Sequence, residues 1–83
     1  MELTIKQAIQ SAVGKHKKGD LQRAEILYRQ ILEIVPTYAI ANHNLGVLLV
    51  DLHQSDNALQ FLQIAIQEDE KVEQFWLSYI DAL

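Results

Sequence analysis

At 83 residues the chain has room for one small domain, and folding buries only about 60% of the surface of a chain this short. Its 49% hydrophobic and 22% charged residues are a globular balance, and its net charge of −4 argues against a nucleic-acid binder, which needs a positive face. The absence of cysteine excludes a disulfide framework, a zinc-thiolate site and a thiol nucleophile.

The charge is unevenly spread. Residues 1–50 hold six Lys/Arg against four Asp/Glu, while residues 51–83 hold one Lys against seven acids, so the halves carry +2 and −6. The basic cluster Lys15–Arg23 reads as a solvated helix end, because cations in a last turn complement the helix dipole. The longest apolar run, Val47–Val50, is far too short to span a bilayer. The first ten residues carry an early acid, Glu2, and no apolar core of a signal peptide. A cytoplasmic protein with no membrane partner is the expectation.

Helical periodicity runs along nearly the whole chain, and no stretch alternates as a strand would. The first predicted helix follows Thr4, which forms a capping-box pattern with Gln7, and runs to about Lys18. Gly19 turns the chain and Asp20 caps a second helix lasting to about Val35, where Pro36 stops it. Thr37 is the expected cap of a third helix, from about Tyr38 to Leu52. A turn at His53–Ser55 follows, with His53 suited to a left-handed backbone conformation and Ser55 expected to cap a fourth helix ending near Asp69. A fifth begins near Lys71. Connections this short fold consecutive helices into antiparallel hairpins, giving an all-α fold of five helices.

Such even spacing suggests internal repetition, and a shift of about 34 residues, Ile5 onto Ala39, aligns the hairpins. Ala24 then falls on Ala58, Tyr28 on Leu62, Ile31 on Ala65, Ala12 on Gly46 and Val13 on Val47. A second shift carries Asn42 to Trp76, Leu45 to Tyr79 and Gly46 to Ile80. Small residues mostly stay small and bulky ones bulky. This period and size pattern resemble the tetratricopeptide repeat family, whose signature is W-x2-L-G-x2-Y, then A-x3-F-x2-A, then proline. Repeat one, residues 5–38, supplies Ala24, Tyr28, Ile31 and Pro36, although its first helix, with Ala8, Ser11, Ala12 and Lys15, departs from the signature. Repeat two, residues 39–72, supplies Leu45, Gly46, Leu49, Ala58, Leu62 and Ala65, with Glu70 in place of proline. A partial repeat three, residues 73–83, puts Trp76 on the tryptophan position and Tyr79 and Ile80 where Leu-Gly is usual.

The resemblance implies a right-handed superhelical array, an α-solenoid, acting as a scaffold for protein binding rather than as an enzyme. It implies a concave groove lined by Lys6, Ile9, Gln10, Val13 and His16 of repeat one. Repeat two contributes Ile40, His43, Asn44, Val47 and Val50, and repeat three Gln74, Leu77, Ser78 and Asp81. One version of this groove in the family clamps the C-terminal carboxylate of chaperones through Lys and Asn side chains and an Arg. Of that set only Asn44 is present, while Ile9, Val13, Gln74 and Ser78 stand at the others. A carboxylate buried there would lack its cations, so chaperone-tail binding is excluded. A mixed groove with an apolar stripe remains, Ile9, Val13, Val47 and Val50, suited to a peptide or helix of a protein partner.

The stretch Phe75–Leu83 looks like the first helix of a repeat lacking its second. Arrays of this kind normally finish on a polar capping helix. The expectation is therefore a piece of a longer protein, or homo-oligomerisation through Trp76, Tyr79, Ile80 and Leu83. The opening pattern is similar to arrays placed before bacterial glycosyl- or sulfotransferase domains, where they present substrate or hold subunits together. No cofactor is expected. His16, His43 and His53 are not paired at helical spacing for a metal, and Ser11, Ser55 and Ser78 have no evident His/Asp partner. The acids of Glu68–Lys71 read as solvated charge at a helix junction.

Overall fold

The structure, a computed structural model, describes residues 4–83; Glu2 lies outside them. It is all-α. Five helices follow in order: α1 (Ile5–Lys17), α2 (Leu21–Ile34), α3 (Ala39–Asp51), α4 (Ser55–Glu68) and α5 (Glu73–Ala82). None of the described helices is long and apolar enough to cross a membrane.

The interval between equivalent helices is constant. α3 follows α1 (Ala39 against Ile5) at the same distance along the chain as α4 follows α2 (Ser55 against Leu21) and α5 follows α3 (Glu73 against Ala39). The turns recur with them. At the end of α1, Gly19 has φ 83°, its N–H donates to the His16 carbonyl at 3.1 Å, and Asp20 N–H reaches Lys15 at 2.9 Å. At the end of α3, His53 has φ 62°, donating to Val50 at 2.9 Å, and Gln54 N–H reaches Leu49 at 2.8 Å. Both are Schellman closures, with a left-handed residue satisfying carbonyls the helix leaves open. Gly19 meets that requirement by lacking a Cβ and His53 by its tolerance of the conformation.

The caps follow the sequence in part. Thr4 and Gln7 form a reciprocal capping box, and the Asp20 carboxylate accepts the Arg23 N–H. Thr37 and Ser55 do not cap. Tyr38 N–H closes a turn on the Val35 carbonyl at 3.0 Å, which absorbs Thr37 and makes Tyr38 the cap residue of α3. The closure at His53 leaves Gln54 in the cap position, so Ser55 is the first residue of α4. α5 begins at Glu73 rather than near Lys71. The Asp69 carboxylate accepts the Lys71 N–H at 3.2 Å, and Val72 N–H turns back to the Asp69 carbonyl at 3.4 Å.

Packing is sequential. Each helix lies on the next, α3 also touches α1 and α5, and the backbone of α1 stays apart from those of α4 and α5. The resulting body is elongated, 39 × 25 × 18 Å. Ala12, Ala24, Tyr28, Leu45, Leu48, Leu49, Ala58, Leu62 and Ala82 form the main core, and Ala65, Ile66 and Phe75 a second one beneath α5. The small residues mark where backbones approach. A Cβ on Gly46 would stand 2.5 Å from Leu62 Cδ2 and 2.6 Å from its Cγ. Asn42, fully buried, donates from Nδ2 to the Pro36 and Tyr38 carbonyls, both at 3.1 Å, and so ties the preceding turn to α3.

Candidate partner-binding groove

Side by side, α1, α3 and α5 form one face of the molecule, and two hollows open along it. The larger, about 450 Å³, lies between α3 and α5 and is lined by His43, Val47, Val50, Asp51, Gln74, Ser78 and Asp81. The smaller, about 230 Å³, lies between α1 and α3 over Tyr28 and is lined by Val13, His16, Lys17, Tyr28 and Asn44.

Of the residues that the sequence assigned to a groove, Val13, His16, His43, Asn44, Val47, Val50, Gln74, Ser78 and Asp81 come together in these hollows. Ile9 is half-buried, packed against the main core. Lys6 and Gln10 are exposed and line neither hollow, nor do Ile40 and Leu77, whose side chains stand in solvent. Lys17, Asp51 and Tyr28 are the members that sequence reasoning missed. Lys17 and Asp51 directly follow the groove positions His16 and Val50, and Tyr28 reaches the face from α2.

Two polar clasps join the three helices. His16 Nε2 lies 2.9 Å from the Asp51 carboxylate and joins α1 to α3. His43 Nε2 lies 2.7 Å from Ser78 Oγ and joins α3 to α5. Each spans 35 residues, one more than the helix interval, which is the signal that could have found them. Ser78, expected to have no histidine partner, is thus held by one. The adjacency of α3 and α5 brings them together, and no local spacing reveals it.

The network around Ser78 is closed. Gln74 Nε2 donates to Ser78 Oγ at 3.3 Å, and His43 Nδ1 lies 3.2 Å from Asn44 Oδ1. With Nδ1 donating to Asn44, Nε2 is free to accept the serine proton, an arrangement requiring neutral imidazole. Burial pushes the His43 pKa down, against the Asn44 side chain, which raises it. Phe75 packs on the same ring at 4.9 Å between centroids. Burial likewise raises the pKa of the Tyr28 phenol, whose hydroxyl has no hydrogen-bond partner among the described residues.

The apolar side of α5 is divided. Tyr79 is half-buried against both cores and accepts a hydrogen bond from Gln63 at 3.2 Å. Trp76 is 43% exposed, its indole donating to the Glu70 carbonyl at 2.7 Å. Ile80 and Leu83 are 60% and 74% exposed. Trp76, Ile80 and Leu83 therefore share an open face that Tyr79 does not join. Compared with family models and with curated proteins, the chain matches none.

Proposed function

We propose that this chain is a protein-interaction module of the tetratricopeptide-repeat type, a short superhelical array holding a segment of a partner against the α1–α3–α5 face. The observation that carries it is the pair of hollows on that face, lined from helices that recur at one constant interval. Apolar walls with a few positioned polar groups are what a peptide site needs. The module binds without turnover. The test is photo-crosslinking from position 47 followed by identification of the captured protein. Capture that is lost when Asn44→Ala/Val50→Glu is added to the crosslinking chain supports the groove, and undiminished capture sinks it.

A second reading has its own observation. Trp76, Leu77, Ile80 and Leu83 expose a contiguous apolar side of α5, and a second copy of the chain would cover it. Light scattering at tens of micromolar decides. A dimer dispersed by Ile80→Lys supports self-association, and a strict monomer removes it.

A further inference from the structure

The two hollows differ in charge. The α3–α5 hollow has an apolar floor, Val47 and Val50, and its inner polar groups satisfy one another through the His43–Ser78–Gln74 network. The His43 ring and Ser78 are thereby supplied with partners, and the other polar side chains of the lining, Gln74, Asp51 and Asp81, are exposed, so the group that lies on Val47 and Val50 is apolar. Two carboxylates line this hollow, Asp51 and Asp81, and no Lys or Arg does. Among the described residues Asp81 is in no ion pair and Asp51 is paired with His16 alone. The α1–α3 hollow is the opposite. It carries Lys17, likewise in no ion pair among the described residues, and no carboxylate lines it.

Adjacent packed helices lie about 8–10 Å apart, which sets the separation of the two hollows. An extended chain covers that distance in about three residues at roughly 3.3 Å each. We infer that the groove selects an extended, bipolar protein segment. An apolar residue with a neighbouring Lys or Arg enters between α3 and α5, and an acidic residue about three positions away lies over Lys17. It rests on the α1–α3–α5 face being the docking surface. Charge complementarity sets the order of charges along the segment, while the apolar side chain supplies contact area.

The probes are the acetylated, amidated peptide Gly-Ser-Glu-Gly-Ser-Leu-Lys-Gly-Ser, its reversed sequence, and the two versions with Glu and Lys exchanged. Each is titrated into the ¹⁵N-labelled chain at low salt and neutral pH. One of the first two is expected to bind roughly tenfold more tightly than its exchanged version, shifting the amides of Val47 and Ser78. The triple change Lys17→Gln/Asp51→Asn/Asp81→Asn is expected to bring that ratio close to one while leaving the amide dispersion of the free protein unchanged. Equal affinities, a preference for the exchanged peptides, or a preference surviving the triple variant would each overturn the charge rule. Equal affinities with shifts still confined to α1, α3 and α5 would leave the groove standing without that rule. Shifts confined to α2 and α4 would remove the groove with it. Failure of all four peptides to bind at millimolar concentration overturns the bipolar segment, and crosslinking from position 47 then judges the groove independently.

Discussion

Helix α3 packs on α2 and α4 and also touches α1 and α5, whereas α5 has only α4 and α3 against it. Both helices are rich in large apolar side chains. In α3 most of that composition lies inside: Ala41, Leu45, Leu48 and Leu49 are buried, together with Asn42 and Gly46, Val47 and Val50 are half-buried, and Ile40 stays exposed. In α5 only Phe75, Ser78 and Ala82 are buried, and Trp76, Leu77 and Ile80 stay exposed. A helix that is apolar all round is built for neighbours all round. The two therefore differ in how many neighbours they have rather than in what they are made of. Substitutions in each should separate sharply.

The largest expected effect is in α3. Leu45→Ala removes a side chain with no exposed surface at the centre of the main core, and is expected to cost about 2–5 kcal/mol. Urea unfolding followed by circular dichroism measures it. A loss no larger than that of an α5 surface change would break the comparison.

Gly46 sharpens it further when set beside Gly14. At Gly46 an added Cβ meets the fully buried Leu62 and comes within 3.4 Å of the Ala58 carbonyl. Overpacking of this kind costs about 1–3 kcal/mol, more than the ~1 kcal/mol of helix propensity that alanine adds. Gly46→Ala is expected to destabilise by up to about 2 kcal/mol. At Gly14, in the interior of α1, the same Cβ meets nothing within 4 Å, so Gly14→Ala is expected to stabilise by up to ~1 kcal/mol. Opposite signs of the shift in midpoint are the check. A stabilising Gly46→Ala would mean that α3 and α4 are not held this close.

Much of this fold was legible because local chemistry dictates it. Thr4 with Gln7 and Asp20 with the Arg23 N–H are short-range hydrogen bonds that sequence spacing reveals. The left-handed turn at His53 was legible from tolerance of that conformation and from its place one helix interval after Gly19. Thr37 and Ser55 were misplaced because competing backbone closures, Tyr38 to Val35 and Gln54 to Leu49, shifted each start by one residue. The groove was legible only through the register of the repeat. Which members of that register would stay in solvent, as Lys6, Gln10, Ile40 and Leu77 do, depends on how far neighbouring helices splay, and no residue type encodes that. The clasps His16–Asp51 and His43–Ser78 depend on the same side-by-side placement.

His43 joins the two helices under comparison, and its titration reports on their contact. Burial lowers its pKa in the folded chain, while the unfolded chain takes up the proton near pH 6.5. As pH falls through about 6.5 the unfolded state therefore binds more protons, and stability is lost until the folded-state value is passed. Above that window the contribution is fully present. Thermal melts should show a midpoint that falls on going from about pH 7.5 to 5.5. In His43→Gln that fall should be smaller. Identical pH profiles would show that α5 does not hold the imidazole in a dry, neutral state.

The smallest expected effect is at the open face of α5. Ile80 is 60% exposed and a lysine there keeps its charge in water, so Ile80→Lys is expected to change stability by no more than ~0.5 kcal/mol. Measured at low micromolar concentration, where a weak dimer is dissociated, the urea midpoint should match that of the parent chain. Measured at tens of micromolar, any concentration dependence of the parent midpoint should vanish in the variant, because a contact that forms only in the folded state raises stability by mass action. A large loss at the lower concentration would mean that Ile80 is packed within its own chain. In that case the contrast between α3 and α5 would lie in what covers them, since both would then be covered.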